Sequence, residues 1–330
     1  MGKRRSLTLM EVCGTHTVAV ARHGLRTRLR PGVRLVSGPG CPVCVTGTGV
    51  QRQAAGLARS RGVVLYTYPD LLRRPLPLSG TPARPALSAW QALEYARSCP
   101  RTRVVFFATG FETTAATVAA TLREARSLGL GNFHVLSAAR TILPALTALL
   151  SSGSCQVDGL LCPGHVSAII GSIPYRRLER FGVPAVVAGF DRHQLQRGLA
   201  VLLQLAEQGG GRVVNAYPEV VRPHGNSLAQ EIMAEVFVPS PAYWRGLGTI
   251  EGSGLALGPA YHEFDALALL ESAAGEEEAD SECRCGDVLR GALEPWACPR
   301  FGRECTPARP AGPCMVSSEG ACAALYTYGR

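Results

Sequence analysis

The chain has 12 cysteines in 330 residues, and six of them fall between positions 283 and 322. In a reducing compartment this usage indicates metal, cluster or thiol chemistry rather than a disulfide framework. Four of the six are separated by 14, 6 and 16 residues, and we call this set the cysteine frame: Cys283, Cys298, Cys305 and Cys322. Four thiolates suit a [4Fe–4S] cluster. A zinc site is the main alternative, but zinc ribbons usually present their cysteines as closer pairs.

A second thiol motif is the Cys-x-x-Cys pair formed by Cys41 and Cys44. This spacing brings two sulfurs close enough for a disulfide or for shared ligation of a metal. There is no second Cys-x-x-Cys pair, so a four-thiolate zinc site of the usual form is disfavoured. A redox-active dithiol is the favoured interpretation, with metal ligation and a structural role as the alternatives.

Cys13 and His16 form a third motif, in which a thiol precedes an imidazole by three residues. Both side chains are transition-metal ligands, and a nearby histidine can lower the pKa of a thiol. The alternative is a buried cysteine beside a helix-capping threonine. Cys99, Cys155 and Cys162 lie in less suggestive surroundings and are interpreted as small packing residues.

Three loops with chemical side chains directly follow predicted strands. They are Gly38–Cys44, Thr109–Thr114 and Cys162–His165. In open α/β sheets, ligands bind beyond the carboxyl ends of the strands, so we expect these loops to contribute to one site. The Thr109–Thr114 loop also leads into a helix whose first N–H groups suit an anion.

Short β-branched runs alternate with longer helical stretches through most of the chain, which predicts parallel sheets in α/β domains. The predicted strands are Arg34–Ser37, Val63–Tyr68, Val104–Thr109, Phe133–Ser137, Gly159–Cys162, Val183–Ala188 and Val213–Tyr217. The predicted helices lie near Ala86–Arg97, Thr113–Ser127, Ile142–Ser151 and Arg192–Gln208. So many units favour two small Rossmann-like α/β domains over a single sheet, with a seam near Ser127–Asn132.

The C-terminal part differs in composition. It contains an acidic stretch at 273–282, which we interpret as a linker, and a tail rich in proline and cysteine. Such a tail cannot build a standard core and needs a metal centre or cross-links to hold a shape. The expected domains are therefore residues 1–128, residues 129–237, and a cluster-stabilised C-terminal domain at 238–330.

Composition excludes several classes of protein. The net charge of +9 comes almost entirely from scattered arginines, and aromatic residues make up only 6% of the chain, which argues against nucleic-acid binding. No apolar run reaches the roughly 18 residues that a membrane span needs. The basic start of the chain is not followed by an apolar segment, so we expect no secretory signal and a cytoplasmic protein.

Taken together, these motifs resemble the HypD family of hydrogenase maturation factors. The resemblance runs from Met10 to Tyr328 and includes Met10–Thr17, Gly38–Cys44, Thr109–Thr114, Cys162–His165, Trp244–Gly248, Cys283–Leu289 and Cys314–Cys322. It implies two α/β domains of similar topology and a third domain that carries a [4Fe–4S] cluster. Proteins of this family work with the small partner HypC as the scaffold on which the Fe(CN)2CO group of [NiFe]-hydrogenase is built, and HypE delivers the cyanides.

The same resemblance assigns roles at the first two thiol motifs. Cys13 would hold the transient iron together with a cysteine of HypC, and His16 would lie beside it. Cys41 and Cys44 would be the thiol pair near that iron.

In the tail, the resemblance makes Cys285 and Cys314 a disulfide beside the cluster, in an arrangement similar to that of ferredoxin:thioredoxin reductase. The favoured function is thus a redox-active assembly scaffold, monomeric in its complex with HypC, rather than a turnover enzyme. The rivals are a free-standing [4Fe–4S] thiol–disulfide oxidoreductase and a zinc-stabilised binding module.

Overall fold

The computed structural model describes residues 5–153, 156–270 and 283–329. These residues form two compact units, each built from separate stretches of chain. Unit 1 contains the chain up to Val45, the stretch Leu143–Ser227 and the chain from Cys283 onward. Unit 2 contains Thr46–Ile142 and the described residues from Leu228 to Leu270.

Unit 1 is built on a parallel sheet of five strands. Their spatial order is β2 (Val33–Ser37), β1 (Leu7–Glu11), β7 (Gly159–Pro163), β8 (Ala185–Ala188) and β9 (Val213–Asn215). Strand β1 lies between β2 and β7, with Glu11 opposite Ser37 on one side and Leu161 on the other. The central strands are almost wholly buried because helices cover both faces of a parallel sheet.

The helices of unit 1 are short except for one. They are α1 (Gly14–Arg22), α2 (Pro42–Val45), α7 (Gly164–Ile170), α8 (Arg192–Gln208), α10 (Cys285–Leu289), α11 (Pro313–Val316) and α12 (Ala321–Tyr328). Helix α8 begins with a capping box: the Asp191 side chain accepts the backbone N–H of Gln194, and the Gln194 side chain accepts the backbone N–H of Asp191. Helix α12 packs on α1 through an apolar cluster that includes Ala21 and Leu325, and this contact attaches the cysteine-rich stretch to the sheet.

Among the described residues, unit 2 contains a second parallel sheet, a hairpin and three helices that lie wholly within it. The sheet order is β4 (Arg84–Pro85), β3 (Val63–Thr67), β5 (Arg103–Gly110) and β6 (Phe133–Ala139). The antiparallel hairpin is β10 (Phe237–Trp244) and β11 (Gly248–Leu257). The helices are α3 (Thr48–Arg59), α4 (Ala89–Ser98) and α5 (Glu112–Ser127). Apolar side chains of α4, α5, the sheet and the hairpin share one core.

Two further helices begin at the limits of the units. Helix α6 (Ile142–Ser151) starts where the chain leaves unit 2, and α9 (Ser227–Val236) starts where it leaves unit 1. The chain also contains 3-10 turns at Arg26–Arg28, Pro69–Leu72, Ile173–Phe181, Pro259–Phe264, Ala266–Leu269 and Pro295–Ala297.

The predicted α/β class with parallel sheets and a cysteine-rich C-terminal region is confirmed. The grouping of the strands differs from the expected boundaries at 128 and 237. The seam expected near Ser127–Asn132 lies inside unit 2, because β5 and β6 pair directly across it. Strand β1 was not predicted, and it joins β2 to strands from the middle of the chain.

The acidic stretch at 273–282 lies outside the described residues. Among the helices that the structure describes, none has both the length and the apolar character that crossing a membrane requires.

Candidate thiol and metal site

Three loops with chemical side chains leave the same edge of the unit 1 sheet. Strands β2, β1 and β7 are neighbours and parallel, so the segments that follow them emerge side by side. These segments are Gly38–Cys44 after β2, Val12–His16 after β1 and Gly164–His165 after β7. The strand order therefore collects the Cys13, Cys41–Cys44 and His165 motifs at one place.

The side chain of Cys13 lies against the imidazole of His165. Cys13 immediately precedes α1, is only 2% exposed, and has its Sγ 3.9 and 4.0 Å from the two ring nitrogens of His165. Burial raises the pKa of the Cys13 thiol to about 12, since a thiolate is poorly solvated there. In the metal-free protein Cys13 therefore keeps its proton at neutral pH.

His165 carries a neutral imidazole at pH 7, because burial lowers its pKa to about 4. Its ring stacks on Phe190 with the ring centroids 5.0 Å apart. A neutral imidazole keeps a nitrogen lone pair and is a competent metal ligand. Cys13 and His165 thus place a sulfur and an imidazole ring side by side.

His16 is fully buried in the first turn of α1, and its ring centroid lies 4.8 Å from that of Phe190. Its Nε2 lies 3.0 Å from the carbonyl oxygen of Gly189 and 3.2 Å from that of Ala188, which assigns the ring proton to this nitrogen. Burial lowers the pKa of His16 to about 4, and the neighbouring His165 lowers it further. The imidazole that contacts the Cys13 sulfur is therefore that of His165, and His16 anchors α1 to the loop after β8.

Glu319 brings a carboxylate to the same motif from the far end of the chain. The Thr15 hydroxyl donates to Glu319 Oε1 at 2.7 Å. A methyl group on Gly14 would come within 2.6 Å of Glu319 Cβ, so only glycine allows this approach. The negative charge of Glu319 adds to the rise in the pKa of Cys13.

Cys41 and Cys44 form a disulfide at the start of α2. Cys44 is fully buried, and its Sγ lies 3.8 Å from the carbonyl oxygen of Pro313, the residue before Cys314. Helix α2 also contacts α10 and α11, which carry Cys285 and Cys314. The disulfide therefore lies beside the cysteine-rich stretch as well as beside the β1 and β2 loops.

The six cysteines of the tail line one small pocket together with apolar residues. The sulfur-bearing residues are the cysteine frame plus Cys285 and Cys314, and the apolar ones include Val288, Phe301 and Met315. The sulfurs of Cys285 and Cys314 lie 2.6 Å apart.

The donor set of this pocket fits an iron–sulfur cluster. Ala311 donates its backbone N–H to Cys305 Sγ at 3.3 Å, as is common at cluster thiolates. A methyl group on Gly312 would collide with the sulfur of Cys283, so the backbone leaves room for sulfur at that point. Six sulfurs with an apolar surround offer soft ligands and a shielded volume.

The Thr109–Thr114 loop does not belong to this edge, because it follows β5 in unit 2. Its Glu112 is 2% exposed and accepts the Ile142 backbone N–H at 2.9 Å. Burial raises the pKa of Glu112 to about 7. Cys99 follows α4 in unit 2, Cys162 is buried within β7, and Cys155 lies outside the described residues.

Sequence reasoning did not single out His165 or Glu319 as site residues. His165 stands in a Cys-Pro-Gly-His turn after a predicted strand, and Glu319 lies between Cys314 and Cys322. Both positions carried a signal, since each is a polar residue within a motif already noted. Neither pairing with the Cys13 motif is local, because Cys13 and His165 are 152 positions apart and Thr15 and Glu319 are 304 positions apart.

The fold and the site define a cysteine-rich α/β protein with a thiol, an imidazole and a thiol pair at the carboxyl ends of parallel strands. A family model for HypD, described as the Hydrogenase formation hypA family, matches residues 1–329. The hydrogenase maturation factor HypD of Azotobacter vinelandii is 41% identical, covering 99% of this chain and 90% of that protein. The chain belongs to the HypD family of hydrogenase maturation factors.

Other relatives agree with this assignment. The hydrogenase maturation factor HypD of Escherichia coli K12 is 41% identical, with 98% of this chain and 90% of the relative covered. That of Rhodobacter capsulatus is 39% identical over 97% of this chain and 89% of the relative.

Proposed function

We propose that this protein is the scaffold on which the Fe(CN)2CO group of [NiFe]-hydrogenase is assembled, together with a HypC-type chaperone and a HypE-type cyanide donor. The observation that carries the proposal is the contact between Cys13 and His165. A buried thiol and a neutral imidazole 3.9 Å apart are suitable ligands for a low-spin iron that also binds strong-field ligands.

The iron is the cargo of this reaction, and the protein residues hold and orient it. Cys13 loses its proton when its sulfur binds the iron, so loading releases one proton per thiolate. His165 binds through a lone pair and releases none, because its pKa lies near 4. Phe190 packs against both imidazoles, with its ring centroid 4.8 Å from that of His16 and 5.0 Å from that of His165.

The cysteine frame is proposed to hold a [4Fe–4S] cluster, which supplies electrons one at a time when bound. Cys285 and Cys314 lie in the same pocket and are proposed as a redox pair. As thiols, they can reduce the Cys41–Cys44 disulfide, which lies next to Pro313, by thiol–disulfide exchange. In that exchange Cys285 and Cys314 become a disulfide, and two electrons and two protons pass to Cys41 and Cys44.

The test is anaerobic co-expression with a HypC-type partner, followed by infrared spectroscopy of the purified complex. We expect bound cyanide and carbonyl bands in the parent protein and their loss in Cys13→Ala. Cys99→Ala is the matched control, because Cys99 follows α4 in unit 2, and it should keep the bands. Bands at parent intensity in Cys13→Ala would refute the proposal.

A free-standing thiol–disulfide oxidoreductase is the second candidate, and the Cys41–Cys44 disulfide favours it. The two functions differ in their need for a partner. A scaffold co-purifies with a HypC-type chaperone in a stable complex, whereas an oxidoreductase reduces a small disulfide substrate when it is alone. Turnover of such a substrate by the isolated protein, without complex formation, would favour the second candidate.

A further inference from the structure

A buried ionic network around Glu11 contacts the segments that carry the Cys13 and Cys41–Cys44 motifs of unit 1. Glu11, the last residue of β1, is fully buried. Its carboxylate accepts hydrogen bonds from the Ser37 hydroxyl at 2.6 Å, the Thr17 hydroxyl at 2.7 Å and the Arg26 guanidinium at 3.0 Å. One side chain therefore joins β1, β2, α1 and the 3-10 turn at Arg26.

Two of these donors lead to different thiols. Thr17 is in the first turn of α1, and its hydroxyl also lies 3.1 Å from the carbonyl oxygen of Cys13. Ser37 ends β2 and directly precedes the Gly38–Cys44 loop, whose first N–H donates to the Glu11 carbonyl at 2.8 Å. The carboxylate thus restrains the Cys13 turn through one oxygen and the Cys41–Cys44 loop through the other.

Stability alone does not account for this network. Removing a carboxylate and a guanidinium from water costs about as much as their attraction returns, and an apolar pair of similar volume often serves as well. Arg26 is nevertheless fixed firmly, since it donates to the Leu35 carbonyl at 3.1 Å besides Glu11. A buried ionic network with directional bonds specifies geometry, because each bond has a preferred distance and angle.

We propose that Glu11 is a positioning residue that sets the Cys13 turn through Thr17 and the Cys41–Cys44 loop through Ser37. Its importance for cargo assembly rests on the proposed function, but the geometric effect does not. Because the two links leave from different oxygens, they can be broken separately. Thr17→Val and Ser37→Ala each remove one hydroxyl and keep the carboxylate.

Two measurements on the metal-free protein report the two thiol sites. The first is the rate at which Cys13 is alkylated under anaerobic conditions, measured by peptide mapping. This rate reports how often the Cys13 turn opens. The second is the equilibrium constant for oxidation of Cys41 and Cys44, obtained by thiol trapping in dithiol buffers of defined poise. We expect Thr17→Val to raise the first about tenfold and leave the second unchanged, as for loss of a hydrogen bond to a buried charge.

Ser37→Ala should give the reverse pattern. The equilibrium constant for the Cys41–Cys44 pair should shift about tenfold, or about 30 mV for a two-electron couple, while the Cys13 rate stays at the parent value. Glu11→Gln should change both quantities. If Glu11→Gln does not fold, the two single hydroxyl variants decide the question by themselves.

The controls make the same chemical changes away from the network. Thr117→Val and Ser60→Ala each remove a hydroxyl that donates to a local backbone carbonyl, those of Thr114 and Gly56. Both should leave the two readouts unchanged. Cys162, buried in β7, serves as an internal monitor of general loosening in the same peptide map.

Three outcomes would overturn the proposal. The network would be purely structural if Thr17→Val and Ser37→Ala lower the melting temperature and change neither thiol readout. Both variants changing both readouts, or Cys162 becoming as reactive as Cys13, would show unspecific loosening. None of these measurements uses iron, so failure of the scaffold function in the Cys13→Ala experiment is a separate result.

Discussion

Replacing Glu112 by glutamine should change how the stability of unit 2 depends on pH. Glu112 is 2% exposed, its Oε1 accepts the Ile142 N–H, and its Oε2 has no hydrogen-bond partner among the described residues. Burial raises its pKa from the ordinary value of 4.5 to about 7. A difference of this size between folded and unfolded chains corresponds to about 3 kcal/mol.

The sign follows from proton binding. Between pH 4.5 and 7 the folded protein still holds the Glu112 proton, whereas the unfolded chain has released it. The stabilising effect of the neutral form is complete below about pH 4.5 and is lost as the pH rises through 7. The parent protein should therefore lose up to about 3 kcal/mol of stability from this group between pH 5 and pH 8.

Glu112→Gln removes the titration and keeps an oxygen that can accept the Ile142 N–H. Its amide N–H2 group occupies the place of Oε2, where it lacks an acceptor among the described residues just as the O–H of the protonated carboxyl does. We expect the variant and the parent to differ little in stability at pH 5, and the variant to be the more stable of the two at pH 8.

Urea unfolding at a series of pH values measures this effect. Trp244 is fully buried in unit 2, and its ring stacks on Phe111, next to Glu112, at 5.8 Å. A background in which Trp90 and Trp296 are replaced by phenylalanine leaves Trp244 as the single fluorescent reporter, since the chain has 3 tryptophans. A parent–variant difference that stays constant within about 1 kcal/mol from pH 5 to pH 8 would refute the reasoning.

Three further predictions concern the cysteine-rich stretch and the Gly38–Cys44 loop. Serine at any position of the cysteine frame should lower iron and sulfide content and loosen the tail, because metal binding is coupled to folding there; unchanged content in all four variants would contradict this. The combined change Cys285→Ser and Cys314→Ser should abolish maturation without loss of iron. In the parent protein, thiol trapping should give the Cys285–Cys314 pair a reduction potential above the roughly −300 mV limit of structural disulfides. Gly40→Ala should lower stability by about 1–3 kcal/mol, since its methyl group would collide with the Cys13 backbone, whereas Gly56→Ala has open space in α3 and should not; equal melting temperatures for the two variants would argue against this packing.

Local pattern was sufficient for many of the strands and helices of the two sheets. The helices at Ile142–Ser151 and Arg192–Gln208 have the predicted bounds, and the seven predicted strands each overlap an observed one. Strand β1 was not predicted, because Leu7–Glu11 is short and mixes Thr8 and Glu11 with apolar residues. Its buried Glu11 is tolerated only because three donors from other elements meet it, and no local pattern reveals those donors.

The sequence by itself determined which residues have chemistry to offer: the soft thiols, their close or wide spacing, and the loops that follow apolar strands. Only the tertiary structure decided which of them meet. The strand order β2-β1-β7 places the Cys13, Cys41–Cys44 and His165 loops side by side, while the Thr109–Thr114 loop follows a strand of the other sheet. Strand order depends on the burial of whole sheet faces by distant segments, so spacing along the chain predicts a side chain's chemistry but not its partner.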